Sequence, residues 1–219
     1  MIKIDTSRRE FLRNTLISAA AVPLLISCNK AAFADTADAK TLEKIKKMAI
    51  QDKNGDWSGA VNAPADVSWK TVISTETDKG DAMEISGTVF NADGKTPAPN
   101  TLIYLYHTDF EGYYGRNGEP KHGRYRGWML TDAKGRYSFR SIKPAPYPEN
   151  RFAAHIHMTV TTEKLREDSI DSILFEGDRL ISAHERSQAG RKGGFQPILS
   201  FEKGKDGILR ATRNIQLMG

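Results

Sequence analysis

The fold is decided by Met83-Glu84-Ile85-Ser86-Gly87-Thr88-Val89-Phe90, in which every second residue is apolar or glycine. An alternation of period two places the apolar side chains on one face of a β-strand. The turn-forming residues Asn91-Ala-Asp-Gly94 follow, and the strongly β-forming run Thr101-Leu-Ile-Tyr-Leu-Tyr-His107 comes next. A strand, a turn and a second strand in this order predict a β-rich fold.

The same pattern returns along the rest of the chain, between turns rich in Asp, Gly and Pro. Further short strands are predicted at residues 128–131, 137–140, 156–160, 173–175 and 208–217. Only residues 41–50 have apolar side chains at helical spacing, and they predict one short amphipathic helix. This pattern is typical of a mainly β, antiparallel β-sandwich, and the alternative is a small closed barrel. The long loops 111–126 and 182–205 are where a site is expected.

Residues 1–34 have the pattern of an export signal. Ser7-Arg-Arg-Glu-Phe-Leu12 resembles the twin-arginine motif, and the apolar segment 15–27 is too short to span a bilayer. Two processing sites compete: cleavage after Ala34 in Ala32-Phe-Ala34, or lipidation of Cys28 in the lipobox-like Leu25-Ile-Ser-Cys28. Both predict an exported protein, either periplasmic or anchored to a membrane as a lipoprotein. Because the twin-arginine route carries folded proteins, a metal or organic cofactor is expected.

The remaining chain is predicted to form one domain, because it contains no internal repeat and no linker. Residues 35–80 are expected to hold a tether, the short helix and a lead-in, and residues 81–219 the sandwich. The composition, with 39% hydrophobic and 27% charged residues in 219, is typical of a globular domain. The single Cys excludes internal disulfides and multi-Cys metal sites. The net charge falls from +5 to +2 without residues 1–34, and no basic stripe remains, so nucleic acid is not expected as a partner.

Two histidines in His155-Ile-His-Met-Thr-Val160 predict a metal site. On a strand, His155 and His157 share one face about 7 Å apart, and the apolar residues between them share the other. Two imidazoles on one face are able to close on a single ion. Taken alone, the pair is equally compatible with an ordinary polar strand face.

Tyrosines upstream of this pair strengthen the metal interpretation. Tyr147 lies in the stiff segment Lys143-Pro-Ala-Pro-Tyr-Pro148, and Tyr113-Tyr114 follow Glu111-Gly112. A tyrosine phenol becomes a ligand only when a strong Lewis acid displaces its proton. A mixed Tyr and His set therefore favours a hard ion, Fe(III), over Zn(II) or Cu(I). The alternative makes these tyrosines surface and packing residues.

An ordered set of motifs between residues 85 and 178 resembles the intradiol ring-cleavage dioxygenases, and most of all the subunits of protocatechuate 3,4-dioxygenase. The set includes Arg136-Tyr-Ser-Phe-Arg-Ser-Ile-Lys-Pro-Ala-Pro-Tyr-Pro148, Ala154-His-Ile-His157 and Gly112-Tyr-Tyr114. The resemblance implies a β-sandwich and a non-haem Fe(III) held by Tyr114, Tyr147, His155 and His157.

The resemblance also implies an activity. A catechol would bind the ferric ion as a dianion and displace Tyr147, which is suited to accept a catechol proton. O₂ would then open the ring between the two hydroxyls and give a muconate-type diacid. Relatives form dimers and larger assemblies, so a homo-oligomer is expected, with the edge strand and the helix 41–50 as candidate contact surfaces.

Three departures from the family pattern bear on the substrate. Glu149 stands where the family usually has an aromatic residue, and the segment from Tyr147 to His155 is shortened. The family's active-site arginine precedes the first histidine by three residues, where this chain has Phe152. Arg151, one residue earlier, is the candidate to stabilise the anionic ring, provided that the short loop bulges.

Two other functions stay open on the sequence. One is a non-enzymatic sandwich of the transthyretin-like or carboxypeptidase-regulatory-like kind on a lipoprotein. The other is a periplasmic copper or zinc protein in which His107, His122 or His184 joins the histidine pair.

Overall fold

The alternating segment that decides the fold forms the central strand of one of two packed sheets. The structure is a computed structural model that describes residues 39–51, 57–115, 119–120 and 122–219. The predicted export signal 1–34, with Cys28, and the start of the 35–80 lead-in lie outside the described residues. No helix among the described residues is long and apolar enough to cross a membrane.

The first sheet is built around β2, the segment quoted above. Its hydrogen-bonded order is β1 (Lys70–Val72), β5 (Arg136–Ile142), β2 (Ala82–Phe90), β10 (Leu209–Thr212) and β9 (Glu202–Lys203), and β11 (Ile215–Gln216) also pairs with β2. The strand predicted at 208–217 is therefore two short strands, β10 and β11. They are separated at Arg213, whose backbone N–H donates to Ser86 O.

The second sheet has the order β4 (Arg126–Leu130), β3 (Leu102–His107), β6 (His155–Thr161), β7 (Asp168–Phe175) and β8 (Ile198–Leu199). Its three long pairings, β3 with β4, β3 with β6 and β6 with β7, are antiparallel. Four pairings of short strands in the two sheets are parallel: β1 with β5, β10 and β11 with β2, and β7 with β8. The predicted antiparallel sandwich describes the long pairings, and these four parallel pairings of short strands were not predicted.

The core lies between the two sheets and confirms the sandwich over the closed barrel. Alternate residues of β2 and β6, among them Ile85, Val89, Ile156 and Met158, are almost completely buried there. The opposite face of β6 is left for the polar side chains of His155 and His157. The periodicity thus predicted which side chains leave the core.

In the described part of the chain, two short helices and one 3-10 turn accompany the sheets: α1 (Ala39–Met48), the 3-10 turn Ala60–Asn62 and α2 (Ala183–Gln188). The predicted helix 41–50 is α1, displaced by two residues, with Leu42 and Ile45 buried. Helix α2 was not predicted, although Ser182 and Glu185 form a capping box at its start.

Candidate active site

The two predicted histidines lie side by side on the outer face of β6. Their neighbours Ile156 and Met158 point into the core, so the strand is held in place by its apolar face. The ring of Tyr106 on β3 stacks on His157 with centroids 4.6 Å apart, and the His122 ring also stacks on Tyr106, with centroids 3.8 Å apart. The imidazole of His157 is therefore fixed by packing as well as by its strand.

Gly112 brings the two predicted tyrosines together. It has a φ of +88°, and a Cβ at this position would overlap the carbonyl oxygen of Pro146. Only glycine allows the loop carrying Tyr114 to lie this close to the segment carrying Tyr147. The Ala145 N–H donates to Asp109 O at 3.1 Å, and this bond joins the same two segments.

The ligating atoms of the four residues lie next to one another. The phenol oxygens of Tyr114 and Tyr147 are 2.7 Å apart, and Tyr147 Oη lies 3.2 Å from His155 Nε2. His155 Nε2 in turn lies 3.0 Å from His157 Nε2. Metal bonds of about 2.0–2.2 Å place neighbouring ligand atoms about 2.8–3.4 Å apart, so these spacings fit one shared ion.

Hydrogen bonds at the far nitrogens orient both imidazoles. His155 Nδ1 lies 2.7 Å from Ala153 O and donates to it, because a carbonyl only accepts; Nε2 then carries the lone pair. His157 Nδ1 lies 3.3 Å from Ser172 Oγ. Burial lowers the pKa of His155 and lowers that of His157 to about 3, so both rings are neutral at pH 7. Neutral, oriented imidazoles are the form that binds a metal.

The tyrosines require a strong Lewis acid to become ligands. Burial raises the pKa of Tyr114, and the hydrogen bond to Tyr147 raises it further. The phenol stays protonated at neutral pH unless a cation of high charge displaces the proton. Two phenols and two imidazoles therefore fit a hard ion such as Fe(III). Among the described residues, no group of three or more His, Cys, Asp or Glu side chains is arranged to hold a metal, so any centre here depends on the tyrosines.

Sequence comparisons relate the chain to known proteins. Residues of this chain are 33% identical over 88 residues to catechol 1,2-dioxygenase of Acinetobacter baylyi, covering 39% of this chain and 28% of that protein. They are 27% identical over 124 residues to the protocatechuate 3,4-dioxygenase beta chain of Burkholderia cepacia, covering 52% of each. A family model described as Dioxygenase matches residues 58–195, which is more than half of the chain. The chain belongs to the intradiol ring-cleavage dioxygenase family.

The fold is also similar to that of a solved structure. The dioxygenase domain of a dioxygenase carbohydrate-binding protein fusion from Streptomyces sp. SirexAA-E gives a TM-score of 0.53 at 19% identity. The match covers 77% of this chain and 97% of that domain, and it shows the shared fold. The curated relatives are longer: the matches span between about a quarter and a half of their lengths.

Two cavities meet at the four residues of this dioxygenase family member. The first has a volume of about 410 Å³ and reaches Tyr147, His155 and His157. The second, of about 520 Å³, is lined by Tyr114, Tyr147 and His157, with Tyr106 and Trp57 in its wall. Tyr147 lies between the two cavities, where an entering ligand would reach its oxygen.

Phe152 lines the first cavity, whereas Arg151 is exposed and is not among its lining residues. The Phe152 ring packs edge-on against Tyr147 with centroids 6.3 Å apart. The described loop thus presents Phe152 to the site, at the position where the family has its arginine. The catalytic role predicted for Arg151 stays a prediction, and the loop geometry does not favour it.

A β-bulge supplies cavity residues that the sequence pattern did not predict. The register between β6 and β7 shifts between Ile156 and Met158, so that one extra residue of β7 faces His157. Ile170 and Ile173 stay in the core, and the two residues between them, Asp171 and Ser172, both line the first cavity. Strict alternation would have placed Ser172 on the opposite face from Asp171.

The other histidines lie outside the group of four. His107 is completely buried, with Nε2 2.7 Å from Ser141 Oγ and Nδ1 2.7 Å from Thr108 O. His122 stacks on Tyr106, its Nδ1 lies 2.6 Å from Tyr104 Oη, and it lines the second cavity together with His157. His184 lies on α2 and is exposed. Neither His107 nor His184 lines either of the two cavities.

Proposed function

We propose that this chain is a non-haem Fe(III) dioxygenase that inserts both atoms of O₂ into a catechol-type aromatic. The ring would open between the two hydroxyls and give a muconate-type diacid. The observation that carries the proposal is the series Tyr114, Tyr147, His155 and His157, in which each ligating atom lies 2.7–3.2 Å from the next, in a dioxygenase family member. When bound there, Fe(III) would supply the Lewis acidity that holds the catechol dianion and prepares it for O₂.

The residues of this chain have separate roles in that reaction. His155 and His157 hold the metal through Nε2, with their far nitrogens at Ala153 O and Ser172 Oγ. Tyr114 does not line the first cavity and is expected to stay in place. Tyr147 Oη faces both cavities and is placed to accept a proton from an entering catechol hydroxyl.

The walls around the four residues help to exclude water. Tyr106 is nearly completely buried against His157, and Phe152 and Leu174 give the first cavity an apolar surface. Surroundings from which water is excluded strengthen the electrostatic interactions of the site with a negatively charged catecholate. A volume of about 410 Å³ is large enough for one substituted aromatic ring.

Product analysis under labelled oxygen tests the proposal. Iron-loaded protein incubated with catechol under ¹⁸O₂ should yield a colourless muconate-type diacid that carries two ¹⁸O atoms. A yellow semialdehyde would indicate cleavage beside the hydroxyls and would contradict the intradiol assignment. Protein that takes up no metal and cleaves no catechol would favour a non-enzymatic sandwich instead.

Adjacent tyrosines give a matched pair of variants. Tyr114→Phe should lower kcat at least a hundredfold, because it removes a metal ligand. Tyr113→Phe changes the exposed neighbouring residue and should leave kcat within about twofold. Equal effects of the two substitutions would contradict the assignment of Tyr114.

The export signal, the lipid anchor at Cys28 and the homo-oligomer remain predictions from the sequence. Export would expose the enzyme to catechols outside the cytoplasm.

A further inference from the structure

The wall of the first cavity carries two carboxylates and, among its described lining residues, no Lys or Arg. Asp171 comes from the bulge in β7, and Glu185 comes from the first turn of α2. The same cavity reaches Tyr147, His155 and His157, so both carboxylates border the space next to the proposed metal ligands. The second cavity also has no Lys or Arg among its described lining residues.

Hydrogen bonds hold both carboxylates in place without neutralising them. Asp171 Oδ2 accepts the Lys192 backbone N–H at 3.1 Å. Glu185 Oε2 accepts from the Ser182 backbone N–H and hydroxyl, each at 2.7 Å. Neither carboxylate forms an ion pair with any residue that the structure describes. Both carboxylates therefore border the cavity without an ion-pair partner among the described residues.

One buried cation lies behind the wall and acts on Asp171. Burial lowers the pKa of Arg213, and the Asp171 charge is among the groups that raise it. Its guanidinium donates to the carbonyl oxygens of Gly194 and Asn214, at 2.7 and 2.6 Å, and it is not a lining residue of the cavity. Arg213 therefore partly offsets the negative charge of Asp171 but is not available to pair with a ligand in the cavity. Glu185 is not among the groups that act on the pKa of Arg213.

We propose that this site accepts catechols without negative charge, either neutral or bearing an ammonium group, and rejects catechols that carry a carboxylate. The inference rests on the proposed function and names its substrate class. A catechol with both hydroxyls at the four ligands turns its remaining ring positions toward the other walls. A carboxylate there would meet two like charges and, among the described lining residues, no Lys or Arg, and such an arrangement is strongly disfavoured in a partly enclosed site.

Three catechols test this substrate class in the iron-loaded protein at pH 7. Catechol and 4-(2-aminoethyl)catechol should be cleaved with kcat/KM at least tenfold above that of 3,4-dihydroxybenzoate. The double variant Asp171→Asn, Glu185→Gln should raise kcat/KM for 3,4-dihydroxybenzoate about tenfold, an effect of the size expected for like charges at close range. Glu185→Gln alone should give part of this gain and keeps the capping box at α2.

Asp168→Asn is the matched control. It removes a carboxylate from the same strand, β7, but Asp168 is exposed, pairs with Lys192 Nζ at 3.5 Å and does not line the cavity. The relative rates on the three catechols should not change in this variant. An equal gain on 3,4-dihydroxybenzoate in both variants would show a general charge effect and overturn the inference.

Binding of simple phenols gives a readout that does not depend on turnover. Phenol, 4-(2-aminoethyl)phenol and 4-hydroxybenzoate lack the second hydroxyl, and their dissociation constants are measured by calorimetry. 4-Hydroxybenzoate should bind at least tenfold more weakly than 4-(2-aminoethyl)phenol, and the double variant should remove the difference. If no catechol is cleaved but this order holds, the proposed function fails while the charge selectivity stands. Tighter binding of 4-hydroxybenzoate, or cleavage of 3,4-dihydroxybenzoate as fast as catechol, would overturn the inference.

Discussion

Replacing Gly112 with Ala tests how the fold assembles the candidate metal centre, and Gly177→Ala is its control. Both glycines have a φ of +88°, but their surroundings differ. A Cβ at Gly112 overlaps the Pro146 carbonyl and approaches Pro148 Cδ to 3.3 Å, whereas a Cβ at Gly177 has no neighbour within 4 Å. The pair therefore separates backbone strain from the close approach that brings Tyr114 to Tyr147.

The magnitudes follow from these two terms. Alanine at a positive φ costs about 1–2 kcal/mol, so Gly177→Ala should lower the free energy of unfolding by that amount. Gly112→Ala has the same strain and adds a steric conflict of about 1–3 kcal/mol, unless the loop moves away. If the loop moves, Tyr114 leaves Tyr147 and the iron affinity should fall by about tenfold or more.

The assay combines urea unfolding of the metal-free protein with iron competition against a chelator. We expect Gly112→Ala to lose stability beyond the control, or iron affinity, or both. Gly177→Ala should keep the iron affinity of the unchanged protein. Equal stability losses in the two variants, with equal iron affinities, would refute the argument that Gly112 positions the tyrosine loop.

Three further predictions concern groups around the site. Burial lowers the pKa of His107 to about 4, so the unfolded state binds the proton more tightly than the folded state. The free energy of unfolding should therefore fall by up to about 3 kcal/mol as the pH falls from about 6.5 to 4. In urea titrations, His107→Gln should reduce this dependence of stability on pH. The buried carboxylate of Glu167 accepts hydrogen bonds from the backbone N–H groups of residues 50, 59 and 60 and from a threonine hydroxyl. Glu167→Gln should lower the free energy of unfolding in urea by about 2–4 kcal/mol. Glu163→Gln, at an exposed ion pair, should lower it by less than about 0.5 kcal/mol. Tyr106→Leu removes the ring stacked on His157 and should weaken iron binding about tenfold in chelator competition, and unchanged affinity would show that the stack does not position the imidazole.

The sequence predicted those features that depend on local periodicity. Alternation in β2 and β6 identified the core residues and placed His155 and His157 on one face. Periodicity predicts which residues share a face, because successive side chains of a regular strand point to opposite faces. The choice of Tyr114 over Tyr113 came from the family resemblance and stays a prediction; Tyr114 Oη lies 2.7 Å from Tyr147 Oη.

Features that depend on irregular backbone or on distant segments were not predictable in this way. The bulge in β7 breaks the alternation and turns both Asp171 and Ser172 toward the cavity, and no local pattern marks the extra residue. The parallel pairing of the short strands β1, β8, β10 and β11 depends on contacts between segments that lie far apart in the sequence. The position of Phe152 depends on the conformation of a short loop, which periodicity does not describe.

Visible absorption of the iron-loaded protein, read together with its iron content, tests the central claim most directly. The account predicts one Fe(III) per chain and a strong tyrosinate-to-iron charge-transfer band, and both should be lost in Tyr114→Phe, Tyr147→Phe protein. Colourless protein that binds one iron per chain, or a band that survives the double substitution, would contradict coordination by the two phenols.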